Sequence, residues 1–157
     1  MSIIIASIIL SFLIGVSSSA CPYNTLEGPD GRCYGFFPYG FHHNKSEYVC
    51  KEYFDGHLAS IHDEKLNEFV RSTAQDVFPD AERFWIGGKR ENGDDKGWSW
   101  TDRSSFDYMN WKNGRPTNEE SDSGAVMDTS TGKWSNLRKE VDLPYVCQVN
   151  ARIYHPF

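Results

Sequence analysis

The chain has 157 residues, a net charge of −6, 39% hydrophobic residues and 15% aromatic residues. That length suits one ordinary domain rather than two. The acidic balance, with no Lys/Arg cluster, excludes nucleic acid and anionic membrane surfaces as natural partners.

Residues 1–20 carry no charged side chain, and Ile3–Val16 is almost wholly apolar. Small side chains follow at Ser17–Ala20, so 1–20 is expected to be a secretory signal cut before Cys21. The apolar run is shorter than the roughly 20 residues of a spanning helix, so no membrane insertion of the mature chain is expected. The expected products are a secreted domain over 21–150 and a C-terminal tail over 151–157. All four Cys lie after the signal. In an oxidising compartment they are expected to pair, with three connectivities open. Asn44-Lys45-Ser46 is the one glycosylation sequon.

In chain order, Cys33–Phe37 predicts a short strand after a Gly-, Pro- and Tyr-rich start. Asn44 is expected to cap a helix, with Glu47 at capping-box spacing, and Gly56 to end it. His57–Ile61 predicts another strand. Asp63 and Glu64 then sit where a helix N-terminus favours carboxylates. Leu66, Phe69, Val70 and Ala74 mark one apolar face as far as about Val77. From Arg83 the helical period disappears. Short β pieces are expected at Phe84–Gly87, Gly97–Thr101, Gly124–Asp128, Gly132–Ser135 and Tyr145–Val149. The fold class is therefore α+β: two helices followed by a loop-rich antiparallel region. The nearly strandless stretch Lys89–Ser123 is long enough to be functional. Trp98, Trp100, Phe106, Tyr108 and Trp111 are its expected pegs. Catalytic motifs are absent: no Gly-x-Ser-x-Gly elbow, no phosphate loop, and no zinc-helix spacing among His42, His43, His57, His62 and His155. His57 reads as a surface histidine.

Several of these pieces, in this order, resemble a C-type lectin-like domain, and the match covers nearly all of Cys21–Gln148. Cys21-Pro22 and Cys33-Tyr34 resemble the N-terminal hairpin of the long form. Cys50 with Gly56–Ile61, Trp85-Ile86-Gly87-Gly88, Trp98–Asp102, Tyr108–Trp111, Gly114-Arg115-Pro116, Ala125–Asp128, Gly132-Lys133-Trp134 and Pro144–Cys147 resemble the rest. The resemblance implies a C-type lectin-like fold with a long loop region and disulfides Cys21–Cys33 and Cys50–Cys147. By the chain-entropy estimate the longer closure would contribute about 4–5 kcal/mol and the shorter about 3 kcal/mol. The family's usual second bridge falls on Gly124 and Lys139, so both halves are missing. His43 and Ser46 stand where the family often has Trp and Ala.

The resemblance also locates the expected site. Relatives bind calcium and sugar through Glu-Pro-Asn or Gln-Pro-Asp, often with a cis proline, and a later Trp-Asn-Asp. Here these read Arg115-Pro116-Thr117 and Trp134-Ser135-Asn136. Calcium wants six to eight oxygens, and Asp122, with Glu119 and Glu120 near it, is the one ligand position retained. Arg115 is expected to pair with Asp122 or Glu120. The expected ligand-binding residues are Trp111, Arg115, Thr117, Glu120, Asp122, Ser135 and Asn136, with Trp111 and Trp134 closer to core than to contact. No metal ligands and no cofactor are assigned. Calcium elsewhere in the acidic loop, among Asp94, Asp95, Asp102, Asp107, Glu119, Glu120 and Asp122, is the lesser alternative. The expected function is non-enzymatic, extracellular recognition of a glycan or protein without the usual calcium–sugar site. The alternatives are a structural or self-associating extracellular protein, and a calcium-dependent lectin with a degenerate motif.

Overall fold

The computed structural model describes residues 19–90, 97–117, 123–150 and 152–153. Most of the expected signal segment, the end of the tail, and Asp94, Asp95, Glu119, Glu120 and Asp122 lie outside the described residues. A two-residue strand, β1 (Ser19–Ala20), pairs with β10 (Arg152–Ile153). The remaining strands are β2 (Leu26–Glu27), β3 (Cys33–Phe41), β4 (Gly56–Leu58), β5 (Arg83–Arg90), β6 (Ser99–Trp100), β7 (Ser123–Asp128), β8 (Trp134–Arg138) and β9 (Leu143–Val149). They form one eight-stranded sheet in the order β2-β3-β9-β5-β7-β8, with β4 on β9 and β6 on β5. Its ladders are antiparallel except β5–β9, which pair in parallel at Trp85 and Tyr145. β3 runs four residues past its expected end, and its register breaks between Phe37 and Phe41. Pro38 lies in that break, where a missing N–H is tolerated.

The sheet carries a core on each face, and strand alternation divides the residues. Phe84, Ile86, Ala125, Met127 and Val146 face one core with Leu66, Val70 and Ala74 of α2 (Glu64–Val77). Trp85, Val126, Tyr145 and Cys147 face the other with Cys50 of α1 (His43–Phe54). A side-chain period of two on strands covered from both sides accounts for the almost unbroken burial of β5 and β7. The disulfides are Cys21–Cys33 and Cys50–Cys147, with Cα separations of 5.4 and 5.5 Å. The second ties α1 to β9.

The ends of α2 follow the sequence: the Asp63 carboxylate accepts from the Leu66 N–H at 2.8 Å. Those of α1 do not. His42 caps it, Nδ1 accepting from the Lys45 N–H at 3.1 Å, and Asn44 sits inside the first turn. Glu47 does not reach back to close a capping box. Its carboxylate accepts from the Leu58 N–H at 2.9 Å and lies 2.6 Å from His57 Nδ1, fastening the helix to β4. Asp55, in the left-handed region at φ 50°, ends the helix rather than Gly56. Gly56 is required for a different reason: a Cβ there would lie 2.1 Å from the Gln148 carbonyl oxygen of β9.

The positions of the missing bridge are filled without covalent chemistry. A Cβ on Gly124 would lie 2.5 Å from Cδ2 of His43, and the His43 N–H donates to the Lys139 carbonyl at 2.9 Å. His43 is 1% exposed and Lys139 5%. The imidazole thus packs against the glycine backbone, edge-on to Trp85 at 5.2 Å between ring centroids.

Candidate functional site

The loop region hangs on Trp134, which is fully buried on β8. Trp100, Trp111 and Tyr108 pack edge-on to it at 5.6, 5.7 and 5.6 Å. Trp98 packs on Trp111 at 4.8 Å, and Phe106 on Trp100 at 4.7 Å. All five expected pegs therefore join one aromatic cluster. The Trp134 backbone holds the chain as well: its N–H donates to the Asn110 carbonyl at 2.9 Å and its carbonyl accepts from the Lys112 N–H at 2.8 Å. A buried asparagine on α2, Asn67, which apolar periodicity did not reveal, completes the anchor. Its Oδ1 accepts from the Trp134 indole N–H at 2.8 Å, and its Nδ2 donates to the Gly132 carbonyl at 3.2 Å.

From this anchor the chain turns through Gly114, at φ 76°, into a cis Arg115–Pro116 bond. Asn136, fully buried on β8, clamps the far side of that turn. Its Oδ1 accepts from the Thr117 N–H at 2.9 Å, and its Nδ2 donates to the Thr117 carbonyl at 3.3 Å. Asn136 thus spends both ends of its amide on the loop backbone. Arg115 is exposed and reaches Thr117 Oγ1 at 3.4 Å. Arg115 and Ser135 line one groove of about 390 Å³ with Arg83, Lys112, Lys133 and Asp128. Four cations face one carboxylate there. That carboxylate is occupied: Asp128 Oδ1 accepts from the backbone and hydroxyl of both Ser130 and Thr131, at 2.8–3.1 Å. Burial pushes the Asp128 carboxyl up, and these bonds more than offset it, holding it below the usual range.

Of the expected ligand-binding residues, Arg115 and Ser135 share the groove, Thr117 and Asn136 hold the turn, and Trp111 belongs to the aromatic cluster. Glu120 and Asp122 lie outside the described residues, and with them the expected ion pair to Arg115. Among the described residues, no three His, Cys, Asp or Glu side chains gather to hold a metal. Nor do the described residues of the turn fit calcium. A guanidinium replaces one oxygen donor, and the Asn136 oxygen is taken by an N–H.

Sequence reasoning also missed a polar network beneath the loop. His62 Nδ1 lies 2.9 Å from Asp107 Oδ1, and Nε2 lies 3.1 and 3.2 Å from the hydroxyls of Ser60 and Ser104. The order Asp–His–Ser is that of a hydrolytic triad, but both hydroxyls donate to the Asp102 carboxylate at 2.6 Å. A serine whose proton is held by a carboxylate is not poised to pass it to an imidazole. Burial raises the Asp102 carboxyl, but the bonds from Ser104 and Ser60 prevail and keep it low and charged. The network fastens the 101–108 segment to the chain that follows β4 at Ser60 and His62.

The fold and the turn together define a lectin-type domain, and comparison with known proteins agrees. The family model for the lectin C-type domain matches residues 42–149. The C-type lectin BfL-2 of Bungarus fasciatus is 31% identical over 140 residues, covering 87% of each chain. Among solved structures, CEL-IV superposes with a TM-score of 0.75 at 26% identity, covering 88% of this chain and 99% of that one. A calcium-independent type II antifreeze protein superposes with a TM-score of 0.72 at 27% identity, covering 85% and 96%. The chain belongs to the C-type lectin family. No described helix is long and apolar enough to cross a membrane.

Proposed function

We propose that this chain is a secreted recognition module that binds a glycan or an extracellular protein through its long-loop face without calcium. One observation carries the reading: Arg115 opens the cis-proline turn into a groove shared with Arg83, Lys112 and Lys133, while the oxygen of Asn136 is spent on Thr117. Cations repel a divalent metal, and they attract an acidic group on a ligand. In a chain of net charge −6, such a groove is a local reversal of sign, which steers an acidic ligand to one place. Arg115 and Lys112 are exposed and have no ion pair among the described residues. The similarity to a calcium-independent antifreeze protein is consistent with a member of this fold that has dispensed with the metal.

Secretion is supported by the apolar segment at Ile3–Val16 and by two disulfides, which persist in oxidising compartments. Asn44 is exposed in the first turn of α1, open to glycosylation.

The test compares the protein with an Arg115→Glu, Lys112→Glu variant on an array of glycans and extracellular proteins, in calcium and in chelator. Chelator-resistant capture that the variant loses, with its melting temperature unchanged, is expected. Capture that the variant retains would move the site off this groove.

A further inference from the structure

The turn at the mouth of the groove carries a reactive pair. Asn113-Gly114 forms its centre, between Lys112 and Arg115. The Arg115 N–H donates to the Lys112 carbonyl at 2.9 Å, which closes the turn with Gly114 in its third place, at φ 76°. That place in a type II turn favours glycine. The entry to the turn is held as well, since the Lys112 N–H donates to the Trp134 carbonyl at 2.8 Å.

An asparagine that precedes a glycine can react with its own backbone. The amide nitrogen of the glycine attacks the side-chain carbonyl carbon, and a ring closes without the entropy cost of bringing two molecules together. The reaction needs an asparagine amide free to turn, an open attacking nitrogen, and nearby charge to stabilise the anion that forms. Asn113 meets all three needs. It is exposed, its side chain makes no hydrogen bond among the described residues, and the Gly114 N–H donates to none of them. Glycine has no Cβ to shield its nitrogen, and beyond its chain neighbours no atom lies within 4 Å of where one would stand. Attack passes through a deprotonated amide nitrogen and an oxyanion, and the cations Lys112 and Arg115 on either side favour both. Arg83 and Lys133 line the same groove as Asn113.

Other asparagines are held. Asn67 and Asn136 are buried, with both ends of each amide bonded. Asn110 donates to the Gly132 carbonyl at 2.9 Å and accepts from Lys133 Nζ at 2.6 Å, and the bulky Trp111 follows it. The second Asn-Gly pair, Asn92-Gly93, lies outside the described residues.

We propose that Asn113 is a spontaneous modification site, which deamidates through a succinimide and lowers the positive charge of the groove as the protein ages. The Gly114 nitrogen gives up its proton and bonds to Cγ of Asn113. The Cγ–Nδ2 bond breaks, and Nδ2 leaves as ammonia with that proton. Water then adds to a ring carbonyl carbon, the C–N bond there breaks, the nitrogen regains a proton from the water, and the new acid ionises. Opening at Cγ gives aspartate. Opening at the main-chain carbonyl gives isoaspartate, whose backbone is one carbon longer. Either product sets a carboxylate beside Lys112 and Arg115, where Asp128 is the one carboxylate among the described lining residues. The modification stands whether or not the groove binds anything; only its effect on an acidic ligand rests on the proposed recognition role.

The test ages the purified protein in heavy-oxygen water at neutral and at mildly alkaline pH, then maps it by mass spectrometry after digestion in acid. Residue 113 should show the mass change of an amide replaced by an acid, carry one heavy oxygen from water, and contain both aspartate and isoaspartate. Conversion should run about tenfold or more faster than at Asn110, whose two hydrogen bonds must first break. It should quicken with rising pH, because the attacking amide must lose a proton. Asn113→Gln, which would have to close a larger ring, should lose the conversion at 113 and keep the melting temperature. Conversion at 113 no faster than at Asn110 would show that the turn protects the pair, and would overturn the proposal. Aspartate without isoaspartate, or a rate independent of pH, would show direct hydrolysis and overturn the ring-closing step.

Discussion

Acidification offers a direct test of how His43 is held. The ring is 1% exposed. Burial first, and Lys139 next, lower its pKa to about 4 from an ordinary 6.5, with Glu47 opposing. The folded state therefore resists a proton that the unfolded chain accepts freely. The stability owed to the neutral ring is complete above pH 6.5. It is lost progressively as pH falls towards 4, because the unfolded state binds more protons throughout that window. At 1.36 kcal/mol per pKa unit the full loss is about 3 kcal/mol, and about 2.5 kcal/mol of it falls between pH 7.5 and pH 4.5. That is a large part of the roughly 5–15 kcal/mol that holds a domain together. The carboxylates Asp102 and Asp128, whose pKa values are held below the ordinary range, contribute their own acid sensitivity only at lower pH. Urea unfolding at pH 7.5, 5.5 and 4.5 should show the loss in wild type, and His43→Phe should remove most of it. Should the larger ring crowd Gly124, His43→Leu makes the same comparison. Parallel pH profiles for wild type and both variants would refute the reasoning, since the acid sensitivity would then arise elsewhere.

Three further outcomes follow from individual contacts. Asn67→Ala strands the Trp134 indole N–H and removes one of the two donors to the Gly132 carbonyl, which keeps the bond from Asn110 at 2.9 Å; it should cost about 1–3 kcal/mol, the scale of a stranded buried polar group, read by urea unfolding, with the loss of structure centred on the long loop. Gly124→Ala should destabilise the protein because its Cβ would meet the His43 ring at 2.5 Å. Combining it with His43→Ala should recover part of that loss, a coupling that a double-mutant cycle measures. Asn136→Ala should loosen the turn at Thr117 and speed amide exchange there, without moving the midpoint for the β3–β9 core.

The sheet was legible because its information is local and periodic. β5, β7, β8 and β9 each appeared within a few residues of their bounds, and the carboxylates of Asp63 and Glu64 marked the start of α2 through the helix dipole. The resemblance supplied the disulfide pairing that counting four cysteines left open. What stayed hidden depends on distant partners. Asn67 sits beside an apolar face and reads as a solvated residue, because its partners, Gly132 and Trp134, are 65 and 67 residues away. Asn136 stood out only as a departure from a calcium motif, whereas its amide clamps the Thr117 backbone. Asn44 met the capping rule, but the chain bends one residue pair earlier and His42 takes the role. Gly56 reads as a helix stop, yet its lack of a side chain serves the close approach of β9.

Calcium-linked unfolding tests the proposed recognition without calcium at the cis-proline turn. An extracellular calcium site has a Kd of roughly 10⁻⁴–10⁻³ M. Tenfold excess over such a Kd would stabilise the fold by about 1.4 kcal/mol. Urea unfolding in calcium and in chelator should give the same midpoint for wild type, and no separation on substituting Arg115→Glu with Thr117→Asn, because Asn136 remains committed to the loop backbone. A midpoint that rises saturably with calcium in the wild-type protein would contradict the account and return the chain to the metal-dependent lectins.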